Sequence, residues 1–406
     1  MNVRFLAASD ADDLRARFGG ALSEHDAEAL SAVAEARILV VDGLADGLAG
    51  ALRAGGATVV KIGTASVLAT TRTLLAEIAA QTPAARAVLD ALSEALRRAA
   101  APAPRLRMRE RSLDLRDEAC VMGIVNVTPD SFYDRVAGVD AAVAKAAAMA
   151  ADGAALVDVG GQSYAHWNAR ISADDERARV VPAIAAIAAA GIDVALSVDT
   201  VRASVASAAL DAGAHLINDC SGLSEPALAE TVAAHDAGLV VMHLKGVLNE
   251  RDPGAYRYDD ALAEIVAFLH ERTERAVALG VARDAIAVDP GLEFGKEPAT
   301  DLEILDRFGE LRALGYPILF ASSRKSFIGR IFDRPARDLL VPSLATAAIG
   351  IAAGARLLRV HDVRETVQLA RMLAAATPRR RRALQVAARM PGTPAAPGNS
   401  PDVRAV

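Results

Sequence analysis

The chain reads as an α/β protein, a TIM (β/α)8 barrel behind a small N-terminal α/β domain. Three observations predict this. Eight short β-rich runs, each followed by a helical pattern, occupy residues 119–376. That span is about 250 residues, the usual size of such a barrel. Nearly every run ends in a residue its apolar body does not explain, and these barrels carry their functional groups at the C-terminal strand ends. Alternating β and α segments imply a parallel sheet with helices outside it. A doubly wound open sheet is the competing arrangement, but no Gly-rich dinucleotide fingerprint follows any run.

In chain order, residues 1–100 alternate β-rich runs (Arg37–Asp42, Thr58–Ile62) with Ala/Leu helical patterns, as a small α/β domain would, but show no motif that assigns a role. Residues 101–117 hold Pro102, Pro104 and a dense set of charges, including Arg105, Arg107, Arg109 and Arg111, and read as a linker. The barrel is expected over 118–377. Its first run is Val121–Thr128, with a helix at 138–152, and the others fall at 155–161, 193–200, 215–222, 239–246, 285–295, 317–325 and 356–362. From 378 to 406 the basic run Arg379–Arg382 gives way to a Pro/Gly/Ala tail that cannot bury a core and is expected to be disordered.

With 406 residues, 52% of them hydrophobic and 24% charged, the chain can bury a large core, which excludes low-hydrophobicity disorder for most of it. Aromatics are only 4%, so Ala, Val, Leu and Ile must build that core. A net charge of −6 argues against nucleic-acid binding through global charge. The longest uncharged stretches, 339–355 and 180–192, carry Pro342, Ser343, Thr346 and Pro182 and do not read as membrane spans. No signal-peptide core precedes Asp10, Asp12 and Asp13. Cys120 and Cys220 show neither metal spacing nor a disulfide framework, so a cytoplasmic protein with reduced thiols is expected.

The strand ends carry, in order, Asn126, Asp158, Asp199, Asn218 and Asp219, Met242 and His243, Asp289, Ser323 to Lys325, and Arg359 with His361. An N-cap explains one such Asp or Asn. A shared site explains the whole set with its mixture of acid, amide and base. Arg359 and His361 are two apart and share a strand face. A fixed cation beside a titratable ring suits a phosphate or pyrophosphate, although a rim ion pair would also account for Arg359. Asn126 can ligate a hard cation through its carbonyl oxygen, with phosphate oxygens and water completing the shell as Mg²⁺ prefers, or can be a turn residue before Pro129. Asp199, Asn218, Asp289 and Lys325 match the donor and acceptor edge of a flat heterocycle, or form interior salt bridges. Ser326 opens a predicted helix whose N–H groups would accept a carboxylate or phosphate, or simply caps it. Gly295-Lys296 is followed by Glu297 and is not a P-loop.

These residues lie in recognisable stretches. They are Met122–Phe132, Val157–Gly161, Ser197–Thr200, Ile217–Asp219, Val288–Gly291 with Phe294–Lys296, Ser323–Gly329 and Arg359–Asp362. In order, from about residue 119 to 376, they resemble the dihydropteroate synthase family, and the N-terminal region is similar to the extension of some longer bacterial members. The resemblance implies a homodimeric TIM barrel of folate biosynthesis. It would join 6-hydroxymethyl-7,8-dihydropterin pyrophosphate to p-aminobenzoate with Mg²⁺, releasing pyrophosphate, with no nucleic-acid or membrane partner. By motif position, Asp199, Asn218, Asp289 and Lys325 would grip the pterin, with Met242 and Phe294 along its ring. Asn126, Arg359 and His361 would hold the pyrophosphate, and Asn126 the metal. Asp130, Phe132 and Asp134 would belong to a mobile first loop, with Phe132, Ser163 and Ser326 on the acceptor side. Asp130, Asp134, Lys325 and Arg359 would be the catalytic set.

The second loop departs from the family. Members usually read Gly-Gly-Glu-Ser-Thr-Arg-Pro-Gly, whereas this chain reads Gly160-Gly-Gln-Ser-Tyr-Ala-His-Trp-Asn168. In the first loop Asp134 is followed by Arg135 and Val136 where a Gly pair is common, which stiffens the backbone. Tyr164, His166 and Trp167 could form a new acceptor wall or an unrelated surface loop. The alternatives are therefore a transferase using a modified arylamine, of the methanopterin type, or a non-catalytic pterin binder. A corrinoid-linked methyltransferase fits the Ser-Arg-Lys and Arg-Val-His blocks less well.

Overall fold

The computed structural model describes residues 2–6, 22–31, 37–42, 44–62, 65–81, 86, 89–90, 92–94, 97, 105–128, 136, 138–164, 168–249 and 256–376. The stretch expected as a tail, 378–406, lies outside them.

Strands β1 (Asn2–Leu6), β2 (Arg37–Asp42), β3 (Thr58–Ile62) and β4 (Ala65–Thr70) form an antiparallel sheet in the order β1-β2-β4-β3. Helices α1 (Glu24–Ser31), α2 (Asp46–Ala54) and α3 (Arg72–Gln81) accompany it. Leu39, Val41, Leu52, Leu68, Leu75 and Ile78 form its core, which Ala313 from the main body joins. β2 and β3 were legible as runs; β1 and β4 are additional strands.

Residues read as linker contain a hairpin, β5 (Arg105–Met108) and β6 (Arg111–Asp114). The correction has a physical reason. Arg105-Leu-Arg-Met108 alternates charged and apolar residues with period two, the signature of a half-buried strand. Leu106, Met108, Leu113 and Leu115 enter one cluster with Met122, Leu156, Leu216, Val240, Leu319 and Leu357, which closes the base of the barrel. The arginines dock its rim: Arg107 pairs with Asp236 and Asp284, Arg111 with Asp193, and Arg109 donates to the carbonyls of Leu210 and Ala214.

The barrel strands are β7 (Cys120–Asn126), β8 (Leu156–Gly160), β9 (Ala195–Asp199), β10 (Leu216–Asp219), β11 (Gly238–Met242), β12 (Ile286–Asp289), β13 (Leu319–Phe320) and β14 (Leu357–Val360). All pair in parallel, in the order β12-β11-β10-β9-β8-β7-β14-β13, and a parallel bridge between Val288 and Ile318 closes the ring. The outer layer is α4 (Val139–Ala151), α5 (Ala173–Ala189), α6 (Ala203–Asp211), α7 (Pro226–Ala234), α8 (Ala261–Ala278), α9 (Pro298–Asp306), α10 (Ser326–Phe332), α11 (Leu340–Ala353) and α12 (Val363–Ala376). β1 lies against the 3₁₀ segment Phe308–Leu314 that follows α9.

Period-two alternation sorts each strand's side chains. Val157, Val159, Leu196, Val198, Ile217, Leu239, Val241 and Val288 join the large core shared with the helices. The inward face runs from apolar at the base to polar at the top: Leu156 then Asp158, Ala195 then Ser197 then Asp199, Leu216 then Asn218, Ala287 then Asp289, Leu357 then Arg359. The fold therefore carries the polar strand ends to one mouth. Among the described residues no helix is long and apolar enough to cross a membrane.

Candidate active site

A cavity of about 330 Å³ opens at that mouth. It is lined by Asn126, Asp199, Asn218, Met242, Asp289, Phe294, Lys325, Arg359 and His361, and by Ser163 and Ser326. All these anticipated residues are thus brought together. Asp130, Phe132 and Asp134 lie outside the described residues, as do His166 and Trp167.

At the centre is a charge network. Arg359 donates from Nε to Asp158 at 2.6 Å and from Nη2 to Asp199 at 2.8 Å. Asp158 is completely buried and also accepts from Ser197 at 2.5 Å and Asn218 at 3.1 Å. Cys220 donates to the other oxygen of Asp199 at 3.2 Å. The ion-pair alternative for Arg359 is therefore present, inside the cavity and with two acids at once. Burial pushes Asp199 up towards neutrality and Asp158 adds to this, while Arg359 opposes it. Burial likewise raises Asp289, against the nearby Lys325 and the amide of Gly291, which donates to it at 2.7 Å.

Lys325 donates to the carbonyl of Leu292 at 2.7 Å and stands 5.2 Å from the ring centre of Phe294. Met242, Cys220 and Leu248 pack together beneath Phe294, giving the slot one apolar face. The loop after β12 is pressed onto β11 by two glycines at positive φ. A Cβ on Gly291 would fall 2.0 Å from the carbonyl oxygen of His243, and one on Gly295 1.9 Å from that of Lys245. Only glycine permits both the dihedral and the approach. Buried Lys296 ties this loop down, contacting His243 Nδ1 at 2.9 Å and donating to the carbonyls of Gly291 and Phe294.

His361 Nδ1 lies 3.1 Å from Ser323 Oγ. Burial first, then Arg359, lowers its pKa to about 3, so the ring is neutral at ordinary pH. Ser326 is the first residue of α10, and Lys325 takes the cap position without a side-chain bond. The next amide, Phe327, donates to the Glu293 carboxylate at 2.8 Å, so one free N–H expected there is already paired. Arg324 is not at the cavity's polar centre; it grips Asp362 with two bonds of 2.7 Å.

Sequence reasoning placed Asp158 at a strand end without a role. The structure makes it the buried anchor of Arg359, Ser197 and Asn218. Its inward register with Leu156 was the available signal. Lys296 was dismissed with the P-loop reading, and its long-range contacts left no local signature.

Residues 122–361 match the pterin-binding enzyme family, and this chain belongs to that family. The dihydropteroate synthase of Bacillus subtilis (strain 168) is 38% identical over 265 residues, 64% of this chain and 90% of that one. The inactive dihydropteroate synthase 2 of Mycobacterium leprae (strain TN) is 40% identical over 268 residues, again 64% and 90%. The structure of the Thermus thermophilus dihydropteroate synthase in complex with 4-aminobenzoate is 35% identical with a TM-score of 0.61, covering 67% of this chain and 100% of that one.

Proposed function

We propose that this chain is a dihydropteroate synthase, condensing 6-hydroxymethyl-7,8-dihydropterin pyrophosphate with p-aminobenzoate and releasing pyrophosphate. One observation carries the reading. Two buried carboxylates, an amide and an ammonium (Asp199, Asn218, Asp289, Lys325) share a cavity with Arg359 and His361. A flat heterocycle with several donors and acceptors satisfies the first group, and an anionic leaving group suits the second.

In this reading Asp199, Asn218, Asp289 and Lys325 orient the ring over Phe294 and Met242. The electron-rich heterocycle supports positive charge at its exocyclic carbon as the C–O bond breaks. Arg359 stabilises the departing diphosphate, the aryl amine attacks that carbon, and no covalent enzyme intermediate is needed. Shielding the cation from water is assigned to the first loop, with Asp130, Phe132 and Asp134. Ser163 and Ser326 would border the acceptor.

Mg²⁺ belongs to the proposal. Among the described residues no group of three or more His, Cys, Asp or Glu could hold a metal. An ion carried mainly by diphosphate oxygens and water is the remaining form, and it suits the habit of Mg²⁺. Asn126 would be its protein ligand. When bound, the ion neutralises charge on the leaving group.

The relative named inactive is as similar in sequence as the relative named synthase, so site chemistry must decide. A second reading keeps the heterocycle slot and changes the arylamine, and Tyr164 at the cavity wall favours it. The deciding experiment measures pyrophosphate release with and without p-aminobenzoate, with the pterin product identified by mass. Dihydropteroate formation supports the synthase; tight pterin binding without condensation moves the weight to another acceptor or a binder.

A homodimer is part of the same proposal. Ile331 and Phe332 on α10, Val341 and Ile349 on α11 and Met372 on α12 are exposed apolar residues, and a second copy would cover them. Light scattering on the purified chain tests this. The free thiols of Cys120 and Cys220 suit the cytoplasm.

A further inference from the structure

Glu293 holds a left-handed backbone position in the loop after β12, with φ 69°. The two neighbouring positions of this kind in that loop are glycines, Gly291 (φ 67°) and Gly295 (φ 65°). A residue with a Cβ is strained there, and such strain gathers at functional sites. What the loop gains in exchange is the glutamate side chain.

Both ends of the residue are fixed. Its amide donates to Asp301 Oδ1 at 2.9 Å, and its Oε1 accepts from the amide of Phe327 at 2.8 Å. Phe327 follows Ser326, and Glu293, Ser326 and Phe327 all line the cavity. The second carboxylate oxygen has no hydrogen-bond partner among the described residues, and it is not sealed from solvent. An unpaired acceptor on a carboxylate thus stands at the cavity wall beside the first turn of α10. The cations of this wall are engaged elsewhere. Lys325 donates to the carbonyl of Leu292 and Arg324 grips Asp362. Arg330, one turn along α10, is exposed, so solvent screens its charge.

We infer that Glu293 is a specificity-determining residue for the arylamine: its carboxylate selects against an anionic group at the end remote from the amine and favours a neutral hydrogen-bond donor there. The inference rests on the reading that an arylamine docks beside Ser326, and it deepens that reading by naming the class of acceptor. The amine is directed at the carbon beside Arg359, which leaves the opposite end of the acceptor for Ser326 and Glu293. p-Aminobenzoate is then taken up against a like charge, with a raised KM. A carboxamide in place of its carboxylate would instead donate to the free oxygen.

Glu293→Gln removes the charge and keeps an oxygen for the Phe327 amide. Pyrophosphate release is measured for wild type and variant with p-aminobenzoate and with p-aminobenzamide, its uncharged counterpart. The ratio of kcat/KM for the benzoate over the benzamide should rise about tenfold in the variant, the size of one like-charge repulsion across a partly solvated cavity. A merely structural glutamate would change both amines alike and leave the ratio unmoved. A ratio within about twofold of wild type, or below it, overturns the role of Glu293 and leaves the arylamine reading intact. Absence of amine-dependent release by either protein with either amine overturns both.

Discussion

The Arg359 guanidinium donates to the buried carboxylate of Asp158 at 2.6 Å, and the same side chain reaches Asp199 at 2.8 Å. Strands β14, β8 and β9 are thereby tied together at the mouth of the barrel. The cation expected to face a diphosphate is also the shared partner of two neighbouring buried acids.

Removing one member of such a network strands the others. Asp158→Ala leaves Arg359 with one partner and frees the bonds from Ser197 and Asn218. Breaking a buried pair this way costs about 3–5 kcal/mol. Urea unfolding should show this as a lower midpoint with an unchanged slope. A loss below about 1 kcal/mol, the worth of an exposed pair, would contradict the anchoring role.

Arg359→Ala is expected to weaken both the free hydroxymethyl pterin and its pyrophosphate ester. The free pterin suffers because Asp199, already raised by burial, loses the cation that opposes this. The ester suffers more, because it also loses the counter-charge of its diphosphate. Calorimetry with the two ligands separates the effects; equal losses would rule out a diphosphate role.

Lys325→Ala removes the ammonium that moderates Asp289 and crosses Phe294. Affinity for the free pterin should fall about 10- to 100-fold, the worth of a charged hydrogen bond. Binding within twofold of wild type would remove Lys325 from the heterocycle site.

His361 supplies a pH signature. Its folded pKa is about 3, lowered first by burial and then by Arg359. The unfolded chain takes up this proton near pH 6.5. Between those values the unfolded state binds more protons, so the stabilising contribution is complete above about pH 6.5 and is lost as pH falls towards 3. The slope from this group alone is at most about 1.4 kcal/mol per pH unit. Denaturation of His361→Gln at pH 7 and pH 4.5 should show a smaller difference than wild type; equal differences would mean that another group carries the acid limb.

How much of this was legible follows from periodicity. The barrel strands were found because short β-rich runs recur, each followed by a helical pattern, and the period of two along a strand then delivers the polar ends to one face. Asp199, Asn218 and Asp289 share inward register with Ala195, Leu216 and Ala287, which pattern alone can convey. Contacts without a period were hidden. The Glu293 carboxylate on the Phe327 amide and Lys296 on His243 join residues far apart in the chain. Tyr164 sits in a loop, where no alternation says which way a side chain turns. β13 is only two residues long, so Ser323 to Lys325 follow the strand instead of ending it.

The hairpin β5–β6 gives the last test, because there the sequence was readable and was overridden by composition. Its arginines suggested a solvated linker, but Leu106 and Met108 between them are fully buried at the base of the barrel. If the hairpin is a plug, its apolar residues hold the barrel together from the end opposite the cavity. Leu106→Ala should cost about 2–5 kcal/mol, the range for a truncated core leucine. The Arg107 and Arg111 pairs are partly exposed and should each contribute under about 1 kcal/mol. Because the cavity is lined from the other end of the strands, the pterin affinity of folded Leu106→Ala should match wild type. Unfolding midpoints and calorimetry on the same preparation check both halves. A loss below about 1 kcal/mol would return residues 101–117 to the status of a linker, and a lost pterin site at full stability would show that the hairpin reaches the active end.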